Sequence, residues 1–273
     1  MTSVDATSGL HLRWVDVSLD VPRADVRRAA GFWAAATGGH LSPWRDDGRF
    51  VTVVPPAGRP VLRLQAVDDG PVGWHPDLRV GDPERAVAHA RARGARVVGR
   101  RPGVVVLATP GGQPLCVTGD GEGTGDARPD PTGEPPTRVD QLALDLPPDR
   151  AEVDAAFWAG LTGWERVVGR RPELAVLRPE GFGAGPAPQR GVPVRLLLHS
   201  LGEDERGRAP WAHLDLAAGS DPAVRRRAVA AHVALGATVV RDTPGWTVLV
   251  DPVGATYCLT GRDPLTGAVA PVP

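Results

Sequence analysis

The side chains best suited to chemistry lie on one face of three predicted strands. In one strand, Trp211, His213 and Asp215 alternate with apolar residues, and alternate residues of an extended strand point the same way. Gln141 and Cys258 take the same kind of position on two further strands. A neighbouring carboxylate can orient His213 as an acid or a base. A face that mixes imidazole, indole, amide and thiol groups suits a concave site, with His213 as the candidate catalytic residue.

A second face of the same kind lies in the first half of the chain. Its candidates are Trp14, Asp16, Trp74, Asp77 and Cys116. Trp246 joins the later set, because an indole beside polar residues offers a flat surface to a planar or cationic molecule. We expect ligand binding to concentrate in the later set, which consists of Gln141, Trp211, His213, Asp215, Trp246 and Cys258. His199 is expected at the rim of that site, whereas His89 and His232 lie in predicted helices and are expected to face solvent.

The two sets recur because the chain repeats itself. The motif Leu-Asp-Val-Pro at 19–22 returns as Leu-Asp-Leu-Pro 125 residues later, and a Pro-x-Gly-x-x-x-Cys pattern that starts at Pro110 returns 142 residues later. Ordered matches of this kind indicate a tandem duplication. We predict an N-terminal tail, copy 1, a linker, copy 2 and a C-terminal tail, at 1–11, 12–119, 120–137, 138–263 and 264–273. The linker is predicted from its Gly, Pro and acidic residues.

Each copy is predicted to contain a strand, a helix and three strands, in that order and twice over. Helices are expected at 24–37, 83–93, 149–162 and 221–235. The dipeptide Asp82-Pro83 is typical of a helix start, and Gly94 of a helix end. Every strand has one apolar face that must lie under helices, and the Phe-Trp pairs of the helices are expected to pack there. The pattern predicts an α+β fold with mixed, half-buried sheets. The Gly- and Pro-rich loop 179–193 is a candidate lid over the later set.

Composition excludes several classes of function. The chain of 273 residues has a net charge of −1 and contains no Lys, so it offers no electrostatic reason to bind nucleic acid and no Lys-based chemistry. No apolar run approaches the roughly 18 residues of a membrane helix, and the first residues do not form a signal-peptide pattern. Two cysteines fit a reduced, cytoplasmic setting. We expect a monomer or homodimer with a small-molecule ligand.

Taken together, these motifs resemble the vicinal-oxygen-chelate superfamily, specifically its glyoxalase-like branch from actinobacteria. The resemblance rests on Asp-Val-Pro and Asp-Leu-Pro in the first strands, Phe-Trp-Ala and Thr-Gly in the helices that follow, the strand His-Leu-Asp-Leu, and the run Asp-Pro-Val-Gly-Ala-Thr-Tyr-Cys-Leu. It covers about residues 12–119 and 138–261. It implies paired βαβββ modules in each copy, whose sheet curls into a cup. Members include metal-dependent isomerases, extradiol dioxygenases, and metal-free proteins of the bleomycin-resistance type that sequester antibiotics.

The resemblance also implies where a metal ion would bind. Catalytic members take ligands from the first, fifth and last strands of a cup, and the last ligand is Glu. Those places hold Gln141, His213 and Cys258 in copy 2, and Asp16, Asp77 and Cys116 in copy 1. Because the last-strand carboxylate is missing, we expect no metal cofactor, and the two cysteines then serve as small core residues. A divalent metal ion on Gln141, His213 and Cys258 is the alternative.

Three functions stay open at this point. The first is a small-molecule-binding protein of the sequestering or resistance type, with its active cup in copy 2. The second is a lyase or isomerase, or a dioxygenase-like enzyme, that uses His213 of copy 2 as a ligand or base. In the third, copy 1 is a structural partner that stabilises copy 2, which is compatible with either of the others.

Overall fold

The computed structural model describes residues 10, 12–56, 58–119, 137–169, 171–179, 192 and 194–264. Copy 1 consists of β1 (Leu12–Pro22), α1 (Val26–Ala36), β2 (His40–Leu41), β3 (Phe50–Val54), β4 (Leu62–Val67), β5 (Gly73–Val80), α2 (Pro83–Ala92), β6 (Arg96–Arg101), β7 (Val104–Ala108) and β8 (Pro114–Gly119). Copy 2 consists of β9 (Arg138–Leu146), α3 (Ala151–Thr162), β10 (Glu165–Val168), β11 (Leu174–Arg178), β12 (Arg195–Ser200), β13 (Trp211–Ala217), α4 (Pro222–Ala234), β14 (Thr238–Asp242), β15 (Trp246–Val250) and β16 (Thr256–Thr260). A short 3-10 turn at Glu203–Glu205 precedes β13.

Each copy forms one eight-stranded sheet, and the two sheets have the same strand order. The order is β2-β3-β4-β1-β5-β8-β7-β6 in copy 1 and β10-β11-β12-β9-β13-β16-β15-β14 in copy 2. In each sheet the two βαβββ modules join at the centre, where β1 pairs with β5 and β9 with β13 in antiparallel fashion. This confirms the predicted α+β fold and the tandem duplication. The central four strands of each sheet therefore carry the candidate site.

Local sequence explains where the helices begin and end. The Asp82 side chain accepts a hydrogen bond from the backbone N–H of Arg85 at 3.0 Å, and a Pro follows it at the first helical position. Asp221 caps α4 in the same way, through the backbone N–H of Ala223 at 2.7 Å. Capping carboxylates of this kind satisfy donors that the helix leaves unpaired. At the other end of α2, Gly94 has a φ of 95°, a conformation that favours glycine.

The apolar faces of the strands lie under the helices, as the alternation predicts. Val15, Val17 and Leu19 of β1 are fully buried, and the polar residues between them lie on the opposite face. Trp33 and Trp158, from the Phe-Trp pairs of α1 and α3, are also fully buried. The polar faces of the two sheets are therefore the ones left to form cups.

The two copies contact each other through these helix-covered faces. The indole N–H of Trp33 donates to Oδ2 of Asp251 in copy 2 at 2.9 Å. The backbone N–H of Gly111 donates to Oδ1 of Asp154 in copy 2 at 2.7 Å. The rings of Phe32 and Tyr257 also pack edge to face, with centroids 6.0 Å apart. Aromatic rings and buried polar bonds therefore join copy 1 to copy 2.

Two expectations about single residues are wrong, for reasons of packing. Trp74 lies on the helix-covered face of β5, where it packs against Trp33 and donates its indole N–H to the carbonyl of Thr256 at 3.0 Å. It is part of the contact between the copies and does not line a cup. His232 does not face solvent, because it is buried beside Tyr257 with Nδ1 3.0 Å from the phenolic oxygen.

Parts of some predictions lie outside the described residues. The predicted linker falls there except for Thr137, whose hydroxyl donates to the carbonyl of Ala36 at 3.0 Å. Most of the candidate lid at 179–193 falls there too. None of the helices in the described part of the chain has the length and apolarity that a membrane crossing requires.

Candidate active site in two cups

Four neighbouring strands place the polar residues of copy 2 on a common face. In the register of β9 and β13, Gln141 stands opposite Asp215, and Asp145 stands opposite Trp211. On the other side β12 places Arg195 beside Gln141, and beyond β13 the last strand aligns a cysteine with Asp215. We call the following set cup 2: Gln141, Asp145, His199, His213, Asp215 and Cys258.

Asp145 connects two imidazoles of cup 2. Its Oδ2 contacts Nδ1 of His213, and its Oδ1 lies 2.7 Å from Nδ1 of His199. Asp145 itself is buried, whereas the His199 side chain is 33% exposed. Because Asp145 occupies Nδ1 of His213, the other nitrogen of that ring is the one directed at the remaining cup residues.

That second nitrogen belongs to a cluster of three possible metal ligands. Nε2 of His213 lies 3.4 Å from Oδ1 of Asp215. His213, Asp215 and Cys258 each offer one ligand atom, and these atoms lie within 4.8 Å of one another. Gln141 donates its amide N–H to Oδ2 of Asp215 and so holds the carboxylate in place. Oδ1 of Asp215 is buried and has no hydrogen-bond partner among the described residues.

Burial and neighbouring charges set the protonation of these groups. Burial disfavours charge on His213, but the Asp145 carboxylate outweighs it and raises the pKa of His213 well above its usual value. Burial alone would raise the pKa of Asp215, but the neighbouring imidazole of His213 lowers it below the usual value. Burial raises the pKa of Cys258 to about 11, and the Asp215 carboxylate adds to that rise. Without a bound cation, cup 2 therefore holds an imidazolium, a carboxylate and a thiol.

Copy 1 contains an equivalent cluster of His75, Asp77 and Cys116, with ligand atoms within 4.8 Å of one another. Nδ1 of His75 lies 3.1 Å from Oδ1 of Asp77, and both atoms are buried without a hydrogen-bond partner among the described residues. The Ser18 hydroxyl donates to the other oxygen of Asp77 at 2.6 Å. Asp20 takes the place of Asp145, with Oδ1 3.5 Å from Nε2 of His75.

We call the following set cup 1: Asp16, Ser18, Asp20, His75, Asp77 and Cys116. In cup 1 the Asp77 carboxylate has the effect on the pKa of the histidine that Asp145 has in cup 2. Burial disfavours charge on His75, yet Asp77 raises the pKa of His75 well above its usual value. Burial raises the pKa of the Cys116 thiol.

A two-residue error in aligning the fifth strands hid this equivalence from sequence reasoning. The predicted ligand places put Asp77 of copy 1 where copy 2 has His213, so copy 1 was left without a histidine. The observed registers align Asp77 with Cys116 and Asp215 with Cys258, so His75 corresponds to His213. The spacing His-x-Asp, present in both strands, is the signal that would have found it.

Glyoxalase-like domains match the sequence twice, at residues 16–118 and 141–260. The chain belongs to the glyoxalase-like domain family. It is thereby a tandem member of the vicinal-oxygen-chelate superfamily, with the two cups described above on the polar faces of its two sheets. No curated protein sequence is recognisably similar to the chain.

Solved structures share the fold of this glyoxalase-like chain at low sequence identity. An extradiol ring-cleaving dioxygenase from B. fuscum has a TM-score of 0.64 and 16% identity, over 98% of this chain and 76% of that one. A Mn(II)-bound glyoxalase from Novosphingobium aromaticivorans has a TM-score of 0.57 and 17% identity, over 96% and 88%. The 2,2',3-trihydroxybiphenyl 1,2-dioxygenase from Sphingomonas wittichii has a TM-score of 0.58 and 17% identity, over 96% and 93%. At these identities the likeness concerns the fold.

The expectation of no metal cofactor is wrong. It rested on the missing carboxylate of the last strand, but the glyoxalase-like cups supply a carboxylate from the fifth strand instead, as Asp77 and Asp215. One similar structure is also a Mn(II)-bound glyoxalase. Gln141, which the alternative ligand set included, donates its amide N–H to Asp215. Imidazole, carboxylate and thiolate together suit a borderline cation such as Zn²⁺.

Two further predicted site residues of copy 1, Asp16 and Trp14, contact arginine side chains. Asp16 accepts from Nε of Arg79 at 2.5 Å and lies 3.3 Å from Arg63. Burial raises the pKa of Asp16 to about 7, although Arg79 opposes the rise. The guanidinium carbon of Arg59 lies over the ring of Trp14, 4.1 Å from the ring centroid. Asp16 and Trp14 are therefore engaged within the chain.

In copy 2 the two predicted indoles differ in access. Arg171 covers the ring of Trp246, with the guanidinium carbon 4.7 Å from the ring centroid. Trp211 stands at the edge of the cup and is 38% exposed. Asp145 was not among the predicted site residues, although it comes four residues after Gln141 on β9 and therefore lies on the same face of the strand.

Proposed function

We propose that the cups of this glyoxalase-like chain bind a borderline divalent metal ion, and that copy 2 performs metal-assisted acid–base chemistry of the lyase or isomerase class on a small molecule. The observation that carries the proposal is the contact of Asp145 with Nδ1 of His213, which directs Nε2 of that ring towards Asp215 and Cys258. A carboxylate behind an imidazole is the usual support of a metal-ligating histidine.

The donor set fits such an ion. Oδ1 of Asp215 is buried without a hydrogen-bond partner among the described residues, so the carboxylate has an unused lone pair on the side of the cluster. His213, Asp215 and Cys258 supply three ligands, which is the number that leaves a position for water or substrate. These three residues would hold the cation, which would supply Lewis-acid polarisation of a substrate oxygen atom.

The chain's own residues would handle the proton. His199 has its Nδ1 on Asp145, so its Nε2 is the nitrogen that gives or takes a proton at the half-buried edge of the cup. The Asp145 carboxylate orients the His199 ring through Nδ1 and so fixes its tautomer. Trp211 provides an apolar surface beside the same edge, because it pairs with Asp145 across the strands.

One difference between the two copies favours a structural role for copy 1. In the register of β4 with β1, Gln65 stands beside Asp20, where copy 2 has His199 beside Asp145. An amide cannot act as an acid or base near neutral pH. Cup 1 would therefore bind a metal ion but lack the proton-transfer group of cup 2.

The proposal is tested with Co²⁺ added to chelator-treated protein. Thiolate ligation gives an intense charge-transfer absorption, and we expect two equivalents of cobalt to produce it. Cys116→Ser and Cys258→Ser should each remove about half of the signal, which makes them matched controls for one another. Absence of the absorption, or retention of the full signal in Cys258→Ser, would contradict the proposed metal site.

Catalytic use of copy 2 is tested by a ligand screen on the metal-loaded protein. Compounds that displace an environment-sensitive dye are incubated with the wild-type protein and followed by NMR for chemical change. His199→Gln should keep the metal and the displacement but lose turnover. Equal turnover in wild type and His199→Gln would overturn the proposed acid–base role.

A further inference from the structure

The two cups differ in the residues that follow the histidine across the sheet. In copy 2, Ala143 lies beside His213 in the strand register. Leu197 lies beside Ala143, and Val176 lies beside Leu197. Direct partners in neighbouring strands share a face of the sheet, so these residues belong to the face of cup 2. With strands about 4.8 Å apart, this apolar row of Ala143, Leu197 and Val176 extends roughly 14 Å from His213.

The corresponding row of copy 1 is polar. Ser18 lies beside His75 in the strand register. Arg63 lies beside Ser18, and Thr52 lies beside Arg63. The Arg63 guanidinium is also 3.3 Å from a carboxylate oxygen of Asp16. Since the two sheets have the same strand order, the fold does not dictate the character of this row.

The apolar row is accessible at its outer end. Ala143 is buried, but Leu197 and Val176 are half-buried and so keep part of their apolar surface exposed in cup 2. On the other side of the candidate metal clusters, Val248 of copy 2 and Val106 of copy 1 occupy equivalent places beside the two cysteines. That side is apolar in both copies, so the contrast between the cups lies in the row beside the histidine.

The two rows favour different molecules. A ring or a branched chain that covers Leu197 removes apolar surface from water on both partners, which stabilises the complex. The same group placed over Arg63 would remove water from a guanidinium without replacing its hydrogen bonds, which is unfavourable. Position 197 and its equivalent in copy 1 therefore distinguish ligands by the polarity of the part that lies beside the histidine.

We propose that cup 2 selects small molecules that combine an oxygen atom for the His213, Asp215 and Cys258 cluster with an apolar body about the size of one ring. Leu197 is then a specificity-determining residue, and Arg63 disfavours the same molecules in cup 1. The inference rests on the proposed function, because it assigns the substrate class of the same site.

The test compares the binding of benzohydroxamate and acetohydroxamate by isothermal titration calorimetry on zinc-loaded protein. Both compounds offer the same pair of oxygen atoms to a metal ion, but only benzohydroxamate adds an apolar ring. Cys116→Ser confines the metal ion to cup 2, and Cys258→Ser confines it to cup 1. Benzohydroxamate should bind roughly 10-fold more tightly than acetohydroxamate to Cys116→Ser and show no such preference in Cys258→Ser. An equal preference in both proteins would overturn the inference.

Substitutions in the two rows locate the preference. Leu197→Ala, introduced into Cys116→Ser, should reduce it by roughly 5-fold. Leu235→Ala, which removes an exposed leucine outside both cups, should leave it unchanged. Arg63→Leu, introduced into Cys258→Ser, should create a preference for benzohydroxamate in cup 1. A preference that survives Leu197→Ala would contradict the assigned role. The comparison of the two cysteine variants needs no change in either row, so it decides the question even if Leu197→Ala fails to fold.

A second readout separates this inference from the proposed metal site. Ligand-observed NMR measures benzohydroxamate binding to chelator-treated protein, where only the apolar contact remains. If the protein takes up no zinc but benzohydroxamate still binds and loses affinity in Leu197→Ala, the metal site fails and the apolar specificity stands. If both hydroxamates require zinc and bind with equal affinity, the metal site stands and the apolar specificity fails. Absence of benzohydroxamate binding by both methods would also overturn the inference.

Discussion

Trp33 and Asp251 form a hydrogen bond of 2.9 Å that joins the two copies across 218 positions of the chain. The other oxygen of Asp251 accepts the backbone N–H groups of Val253 and Ala255, at 2.9 and 2.8 Å. The indole therefore completes the set of donors around a buried carboxyl group whose pKa burial raises. The equivalent tryptophan of copy 2, Trp158, is also fully buried, but its indole nitrogen has no hydrogen-bond partner among the described residues.

Because only Trp33 donates a hydrogen bond, we expect replacement by Phe to cost more stability at Trp33 than at Trp158. Trp33→Phe and Trp158→Phe remove similar buried volume, but only the first leaves a carboxyl oxygen without its donor. We expect Trp33→Phe to lower the free energy of unfolding by about 1–3 kcal/mol more than Trp158→Phe. Urea denaturation followed by circular dichroism measures both. Equal costs would show that the bond between Trp33 and Asp251 contributes nothing net.

Gly111 lies at the contact between the copies, where we expect an added side chain to destabilise the protein. A Cβ at this position would lie 2.3 Å from Oδ2 of Asp154, whose other oxygen accepts the Gly111 N–H. Gly111→Ala should therefore displace that carboxylate and destabilise the protein by about 1–3 kcal/mol. Gly31→Ala is the control, because nothing lies within 4 Å of its added Cβ in α1 and helix propensity favours Ala by about 0.5–1 kcal/mol. A neutral Gly111→Ala would mean that the two copies adjust without strain.

His232 predicts a dependence of stability on pH. Burial lowers its pKa to about 4, whereas the unfolded chain has the ordinary value of 6.5. Below pH 6.5 the unfolded state binds a proton that the folded state does not, so the stability from this group falls as the pH drops from 6.5 to 4. The loss is on the order of 3 kcal/mol.

Comparison with a variant isolates that contribution, because other groups titrate in the same range. The difference in unfolding free energy between wild type and His232→Gln, measured from pH 7.5 to 4, should shift in favour of the variant by that amount. A difference that stays constant with pH would contradict the shifted pKa of His232.

Asp145 predicts an effect on metal affinity without being a ligand. Asp145→Asn removes the carboxylate that orients His213, so the zinc affinity of cup 2 should fall by about 10- to 100-fold. His199→Gln is the matched control, because His199 contacts the same carboxylate but lies outside the cluster of ligands. Competition with a chelating dye measures both. An unchanged zinc affinity in Asp145→Asn would contradict the proposal that Asp145 orients His213 for metal binding.

Local signals in the sequence predict most of the fold. Asp82-Pro83 marks the start of α2 because the carboxylate and the fixed φ of proline act within a few residues. The apolar alternation of β1 identifies its buried face for the same reason. Both features depend on neighbours in sequence, which a single chain displays directly.

The site is harder to predict because it depends on register between strands. A shift of two residues preserves the alternation of faces, so nothing in the apolar pattern distinguished His75 from Asp77 as the partner of His213. Trp74 and His232 were misplaced for a related reason. Each of them contacts the other copy, Trp74 at the carbonyl of Thr256 and His232 at the ring of Phe32, and the sequence of one copy carries no sign of the packing between the two.

The bond between Trp33 and Asp251 also has a consequence during protein synthesis. Copy 1 leaves the ribosome first, but the residues that cover its first helix come 218 positions later. At about 5–20 residues per second, those residues take roughly 10–40 s to follow. During this interval Phe32, Trp33 and Trp74 expose aromatic surface that is buried in the finished protein. The nascent chain is therefore most prone to aggregate, and most in need of a chaperone, just before translation reaches the end of copy 2.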